Sequence, residues 1–171
     1  MSDFLYVTDA SVFVDVYRVG FRRGFYQLGD IRTSDLVFAE CLKVAPEYKA
    51  AFEADRDASL LTVESLDPAQ LTESGRLYNV EPALSPQDCS VLILSKDLPV
   101  ILLTSDAALK RAAKARGLRA HGLLYCLQIA VDEGYITRAA ACTCLLDWAL
   151  TNEFAPVRLI ERYLARWGEG Q

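Results

Sequence analysis

Four carboxylates, Asp9, Glu40, Asp88 and Asp106, stand where ordinary surface or capping roles leave room for chemistry. Asp9 closes the apolar run Phe4 to Val7 with Thr8 between, and Asp106 follows the run Val100 to Leu103. Each then precedes a helical pattern, so both side chains should emerge at the same edge of a parallel sheet. Each is also a good helix N-cap, although Thr8 and Ser105 beside them offer hydroxyls for that task and would leave the carboxylates spare. Glu40 has Leu36, Val37 and Val44 as neighbours at helical spacing, where a carboxylate is costly to desolvate unless something pairs with it. Lys43 offers an ordinary surface pair one turn on, and both roles stay open for Glu40. Asp88 is the third-position acid of a capping box that begins at Ser85, and that position also aims it beyond the helix start.

The elements that must position these residues alternate between strand and helix. Phe4 to Val7 is a strand, and ASVFVDVYRVG a first helix. Asp30 to Arg32 is a brief strand, with Thr33, Ser34 and Asp35 offering capping oxygens to LVFAECLKVA. Residues 47 to 57 form a charged helix, Ser59 to Val63 a strand, and Asp67 to Asn79 a helix. Ser85 and Pro86 open the helix CSVLILSKD, and Val100 to Leu103 is the strongest strand pattern. AALKRAAKAR is an alanine-rich helix stopped by Gly117, with Leu118 to Ala120 a last short strand. Helices over His121 to Glu133, Thr137 to Leu150 and Pro156 to Trp167 complete the chain. This alternation predicts an α/β fold with a mostly parallel sheet covered on both faces.

Composition limits the function classes. The chain has 171 residues, 52% hydrophobic and 24% charged, with a formal charge of -5. One core of that size buries about 70% of the unfolded surface, so neither disulfides nor a second domain is needed. Apolar runs fall far short of the ~20 residues of a membrane span, and the N-terminus has no basic region, so a cytoplasmic protein with no membrane partner is expected. Five cysteines without CxxC spacing read as buried reduced thiols, and a metal site of Cys142, Cys144 and His121 is not favoured, because residues two apart on a helix diverge. Residues 1 to 88 carry 15 acids and 8 bases, and residues 89 to 171 carry 8 acids and 10 bases. The acidic whole argues against tight nonspecific nucleic-acid binding, but not against a local basic strip.

In order, the carboxylates run strand Asp, helix Glu, helix-start Asp, strand Asp. The stretches YVTDASVFVDV, SDLVFAECL and LSPQDCSVLILSKDLPVILLTSDAALKRAAKARGLRAHGLL, with the helix to GYI, resemble a PIN domain, and more closely a VapC-like toxin ribonuclease. The resemblance covers roughly residues 4 to 136 and is strongest from Ser85 to Gly122. It implies a three-layer α/β/α PIN-like fold over residues 1–136, with residues 137–171 a C-terminal helical extension packed on the same domain. It also implies a metal-dependent endoribonuclease, the toxin of a toxin–antitoxin pair, with Asp9, Glu40, Asp88 and Asp106 holding Mg²⁺ or Mn²⁺. Such a protein takes RNA as substrate, a cognate antitoxin as partner, and a homodimer as its assembly. The family often has a further acid or asparagine beside the Asp106 position, where this chain has Ser105 and Ala107, which leaves one or two ions open.

The chemistry is consistent with that implication. Clustered carboxylates raise each other's pKa unless a hard cation neutralises them, and oxygen-only ligands favour Mg²⁺ or Mn²⁺. The cation would polarise the scissile phosphate and lower the pKa of an attacking water, so no Ser, Cys or His nucleophile is required. His121 then reads as a packed or surface residue. Ser11, two after Asp9, is either a supporting hydroxyl of the site or a plain first-turn residue. Arg18, Arg22 and Arg23 follow Asp9, and Lys110, Arg111 and Lys114 follow Asp106, as phosphate contacts or as solvated helix faces. Two rivals remain: a catalytically inactive PIN-like module binding RNA or protein, and an aspartate-nucleophile phosphatase built on Asp9. The second would want an Asp where Ser11 stands.

Overall fold

The computed structural model describes residues 4–96 and 98–168. The outermost ends of the two expected segments, and Asp97 at the end of the expected helix CSVLILSKD, lie outside the described residues. Five strands, β1 (Leu5–Thr8), β2 (Asp30–Ser34), β3 (Leu61–Glu64), β4 (Val100–Leu103) and β5 (Arg119–His121), form one parallel sheet in the order β3-β2-β1-β4-β5. β4 is buried along its whole length, and β1 at every residue but its first, as expected of parallel strands covered on both faces. The chain moves outward from β1 to β2 and β3, then returns to β4 on the other side, so the order reverses between β1 and β4. Ligands collect at such a switch point, beyond the carboxyl ends of the strands. Thr8 is in register with Leu103, and the Asp9 amide donates to the Leu103 carbonyl at 3.0 Å, which binds the two strand ends together at that point.

The helices around the sheet are α1 (Ala10–Arg18), α2 (Arg22–Phe25), α3 (Asp35–Val44), α4 (Lys49–Asp57), α5 (Pro68–Val80), α6 (Pro86–Ser95), α7 (Ala107–Ala115), α8 (Leu123–Asp132), α9 (Arg138–Thr151) and α10 (Val157–Gly168), with a 3₁₀ turn at Pro46–Tyr48. The three-layer α/β/α architecture is the one expected. The differences are local. β2 runs two residues further than Asp30 to Arg32, because Thr33 and Ser34 pair with Val63 and Glu64 of β3. His121 ends β5 instead of starting a helix, so α8 begins at Leu123. The short α2 was not expected; buried Phe21 and Phe25 anchor it to the core, a stabilisation its four residues could not supply alone.

Helix α1 is buried from Val12 to Tyr17, since it packs against α2, α3, α8 and α9. One of its buried residues is a carboxylate. Asp15 accepts from Trp148 Nε1 at 2.8 Å and from Asn152 Nδ2 at 2.9 Å, while Arg18 stands 3.4 Å away. This network ties the C-terminal helices to the helix that leaves Asp9. Trp148→Phe removes one donor from a buried carboxylate and is expected to cost about 1.5–3 kcal/mol, read as a thermal-midpoint loss of roughly 3–10 °C.

Cys41, Cys89, Cys126 and Cys144 are buried free thiols, as expected, and Cys142 is half-buried. Burial pushes the Cys41 and Cys126 thiols up to about 12, so neither is a nucleophile near neutral pH. No helix among the described residues is long and apolar enough to cross a membrane.

Candidate metal centre

Asp9, Glu40, Asp88 and Asp106 line one cleft of about 190 Å³ at the carboxyl edge of the sheet, together with Ser11 and Ser85. Separations in sequence of up to 97 residues collapse there because β1 and β4 are neighbours and α3 and α6 pack on each other. The α3–α6 placement has a polar pin. Ser34 caps α3 by accepting from the Val37 amide, and its hydroxyl meets that of Ser90 on α6 at 2.6 Å. Glu40 and Asp88 are carried on these two helices.

Asp9 is buried and saturated with donors. Its Oδ1 accepts from the Val12 amide at 3.1 Å, Ser11 Oγ stands 2.8 and 2.9 Å from its two oxygens, and Thr104 Oγ1 donates to Oδ2. Despite these bonds its pKa is pushed up to about 6, chiefly by burial and secondarily by the charge of Asp88. Glu40 is raised by burial and then by Asp88 as well. Asp88 closes the expected capping box: its Oδ2 accepts from the Ser85 amide at 2.8 Å, and Ser85 Oγ accepts from the Asp88 amide at 3.0 Å. Its position at the first turn also lets it face the cleft, so capping and site roles coincide. Asp106 caps α7 by accepting from the Leu109 amide at 2.7 Å.

The caps fall on the acids, the plainer of the two roles that the sequence offered each of them. Asp9 and Asp106, not Thr8 and Ser105, cap α1 and α7. Thr8 belongs to the strand and Ser105 lies in the loop one residue short of the cap, so only the aspartates reach the third amide of each helix. Glu40 lies beside, not on, the apolar stripe of α3: Val37, Phe38 and Cys41 are buried, whereas Leu36 and Val44 are exposed. The Lys43 pair does not form, and Glu40 has no hydrogen bond or ion pair among the described residues.

Sequence reasoning missed Thr104. It is fully buried, donates to Asp9 and accepts from the Asp106 amide at 3.0 Å, so one hydroxyl couples both strand-end acids. Its only sequence signal is a hydroxyl at the end of β4, which becomes meaningful once β4 is known to lie beside β1. Ser11 performs a parallel task by accepting from the Ser105 amide at 2.9 Å while donating to Asp9.

The basic residues divide. Arg22 is held by buried Asp55, with Arg22 Nε donating at 2.7 Å, and Arg18 leans on Asp15. Arg23 is exposed. On α7, Lys110 turns toward β5 and Gly122, while Arg111 and Lys114 lie on the exposed face.

The donor set is oxygen-only and anionic, and Asp9 and Glu40 have raised pKa values, which is the chemistry that suits a hard divalent cation. As positioned, no three His, Cys, Asp or Glu side chains among the described residues stand close enough to hold an ion. The four carboxylates converge on one cleft without closing on a point. Three are fixed by backbone amides, and Glu40 alone is not. Cys142, Cys144 and His121 form no metal cluster either. A family model described as a PIN domain matches residues 5–169 of the chain. No curated protein matches it.

Proposed function

The chain belongs to the PIN domain family, whose members are generally nucleases using divalent metal ions, and from this premise we propose that it is a metal-dependent endoribonuclease. The observation that carries this reading is the convergence of Asp9, Glu40, Asp88 and Asp106 on one cleft at the switch point of the sheet. These four would hold Mg²⁺ or Mn²⁺, with Glu40 the arm free to swing inward. Bound there, the cation supplies positive charge against the phosphate oxygens and lowers the pKa of the attacking water.

The chain's own residues do the rest. Ser11 and Thr104 keep the Asp9 carboxylate in one orientation, and Thr104 and the capping bond keep Asp106 beside it. Backbone amides at the starts of α1, α6 and α7 hold three acids at fixed points, so little rearrangement is needed when charge develops in the transition state. The closer resemblance to VapC-like toxins supports a role as the toxin of a toxin–antitoxin pair, restrained by a small antitoxin and acting as a homodimer. Residues 1–136 then form the catalytic body and residues 137–171 a helical extension packed upon it.

The test pairs cleavage with binding. Wild-type protein is expected to cut single RNA molecules internally with Mn²⁺ or Mg²⁺ and not in EDTA. At a cation concentration 100 times the dissociation constant, its stability should rise by about 2.7 kcal/mol. A folded wild type that neither cuts RNA nor gains thermal stability from either ion would sink the proposal.

A further inference from the structure

Beside the acid cleft lies a second hollow of about 420 Å³, within the usual size range of ligand sites. The two adjoin through a hydrogen bond: Ser105, which lines the hollow, donates its amide to Ser11, which lines the cleft. No carboxylate lines the hollow, and Lys110 does so with no ion pair among the described residues. A neighbouring hollow of about 440 Å³, which shares Asn152 and Phe154 with this one and Ser11 and Glu40 with the cleft, carries Asp15, Glu40 and Glu153 against the single Arg18. A polyanion is therefore favoured on the Lys110 side.

The polar end of the hollow is open where a ligand oxygen could enter. A side-chain carbon at Gly122 would lie 3.4 Å from both Lys110 Nζ and the Thr104 carbonyl, and 3.6 Å from Ser105 Oγ, so the bare backbone leaves that space clear. Ser105 Oγ is itself buried and has no hydrogen-bond partner. The other end is aromatic. His121 stacks on Tyr125 with ring centroids 4.1 Å apart, and Phe154 lines the hollow with 85% of its surface exposed. The backbone that carries this ring is tied to the core: Asn152 donates through Nδ2 to buried Asp15 and accepts through Oδ1 from the Phe154 amide at 2.9 Å.

We infer that this hollow is a nucleotide subsite, in which the nucleotide adjoining the scissile phosphate stacks its base on Phe154 and sets its own phosphate against Lys110 and Ser105. The inference rests on the nuclease reading and adds to it a residue of the turn between α9 and α10 that positions substrate. A ring presented this way reads the flat face of a base, which requires that base to be unstacked from its neighbours.

The test measures binding without turnover: full-length protein in EDTA, with the anisotropy of a short fluorescent oligoribonucleotide made abasic at one position at a time. Phe154→Ala is expected to weaken binding roughly 5- to 100-fold, while Phe154→Trp retains it. Lys110→Ala should weaken binding and reduce the salt dependence by about one phosphate contact. At one position, abasic substitution should cost the wild type as much as Phe154→Ala and cost that variant nothing further. Thermal midpoints equal to wild type confirm that these variants fold. Variants that bind like wild type, losses unrelated to abasic position, or a wild type that does not bind overturn the subsite. Coupled binding by a protein that cuts no RNA with either ion overturns the nuclease reading and leaves the subsite standing. Cleavage that proceeds with no Phe154 coupling does the reverse.

Discussion

Asp9→Asn should abolish most cleavage while making the protein more stable. Asn is as good an N-cap as Asp, so the bond to the Val12 amide and the start of α1 survive the change. What is lost is the anionic ligand at the centre of the cleft. If the cation contributes several kcal/mol to the transition state, the rate should fall roughly 100- to 10,000-fold. The gain in stability follows from the pKa of about 6. The native state holds the Asp9 proton more tightly than the unfolded chain does, so this group's contribution to stability is complete below about pH 4. It is lost as pH rises to about 6, and amounts to about 3 kcal/mol. In EDTA, the difference in stability between Asp9→Asn and wild type should therefore grow from pH 4 to pH 6 and stay level above. Urea melts at several pH values measure it. A variant that still cuts RNA at near the wild-type rate excludes Asp9 from the centre, and a flat difference profile excludes the burial account.

The largest loss of stability is expected from Arg22→Ala. Asp55 is 1% exposed and accepts from both Arg22 and Tyr17, whose hydroxyl also meets that of Tyr26 at 2.8 Å. Removing the guanidinium leaves a buried carboxylate with hydroxyl partners alone. Breaking a buried pair in this way costs about 3–5 kcal/mol, and the lower end applies here because Arg22 is partly exposed and water can follow. Arg23→Ala, one residue on and exposed, should stay within about 0.5 kcal/mol. Comparing the two variants by chemical denaturation separates a structural cation from a solvated one. Equal effects would refute the assignment. In the chain these arginines look alike, and only the reach of Arg22 to Asp55 on α4 distinguishes them.

The elements were largely legible because their signals are local. The capping box at Ser85 to Asp88, the four apolar residues of β4 and the alanine-rich α7 each occupy a few consecutive positions. The errors fall where partners are distant. β2 gained Thr33 and Ser34 from pairing with β3, and α2 exists because the core receives Phe21 and Phe25. Thr8 and Ser105 stayed open as rival caps for a related reason: one residue of offset decides which side chain reaches the third amide, and strand ends are not sharp in sequence.

The amino-acid sequence by itself determined the layered α/β architecture, the four candidate carboxylates and the order in which they occur, because periodicity, capping chemistry and residue type act over short stretches. Tertiary structure alone decided how those acids meet. The β1–β4 register brought Thr104 onto Asp9, the Ser34–Ser90 contact set Glu40 opposite Asp88, and burial raised the Asp9 pKa to about 6. It also divided the cations, giving Arg22 to Asp55 and Lys110 to the hollow beside the cleft. Desolvation and pairing depend on what surrounds a group in three dimensions, and residues 95 positions apart in sequence carry no local mark of becoming neighbours.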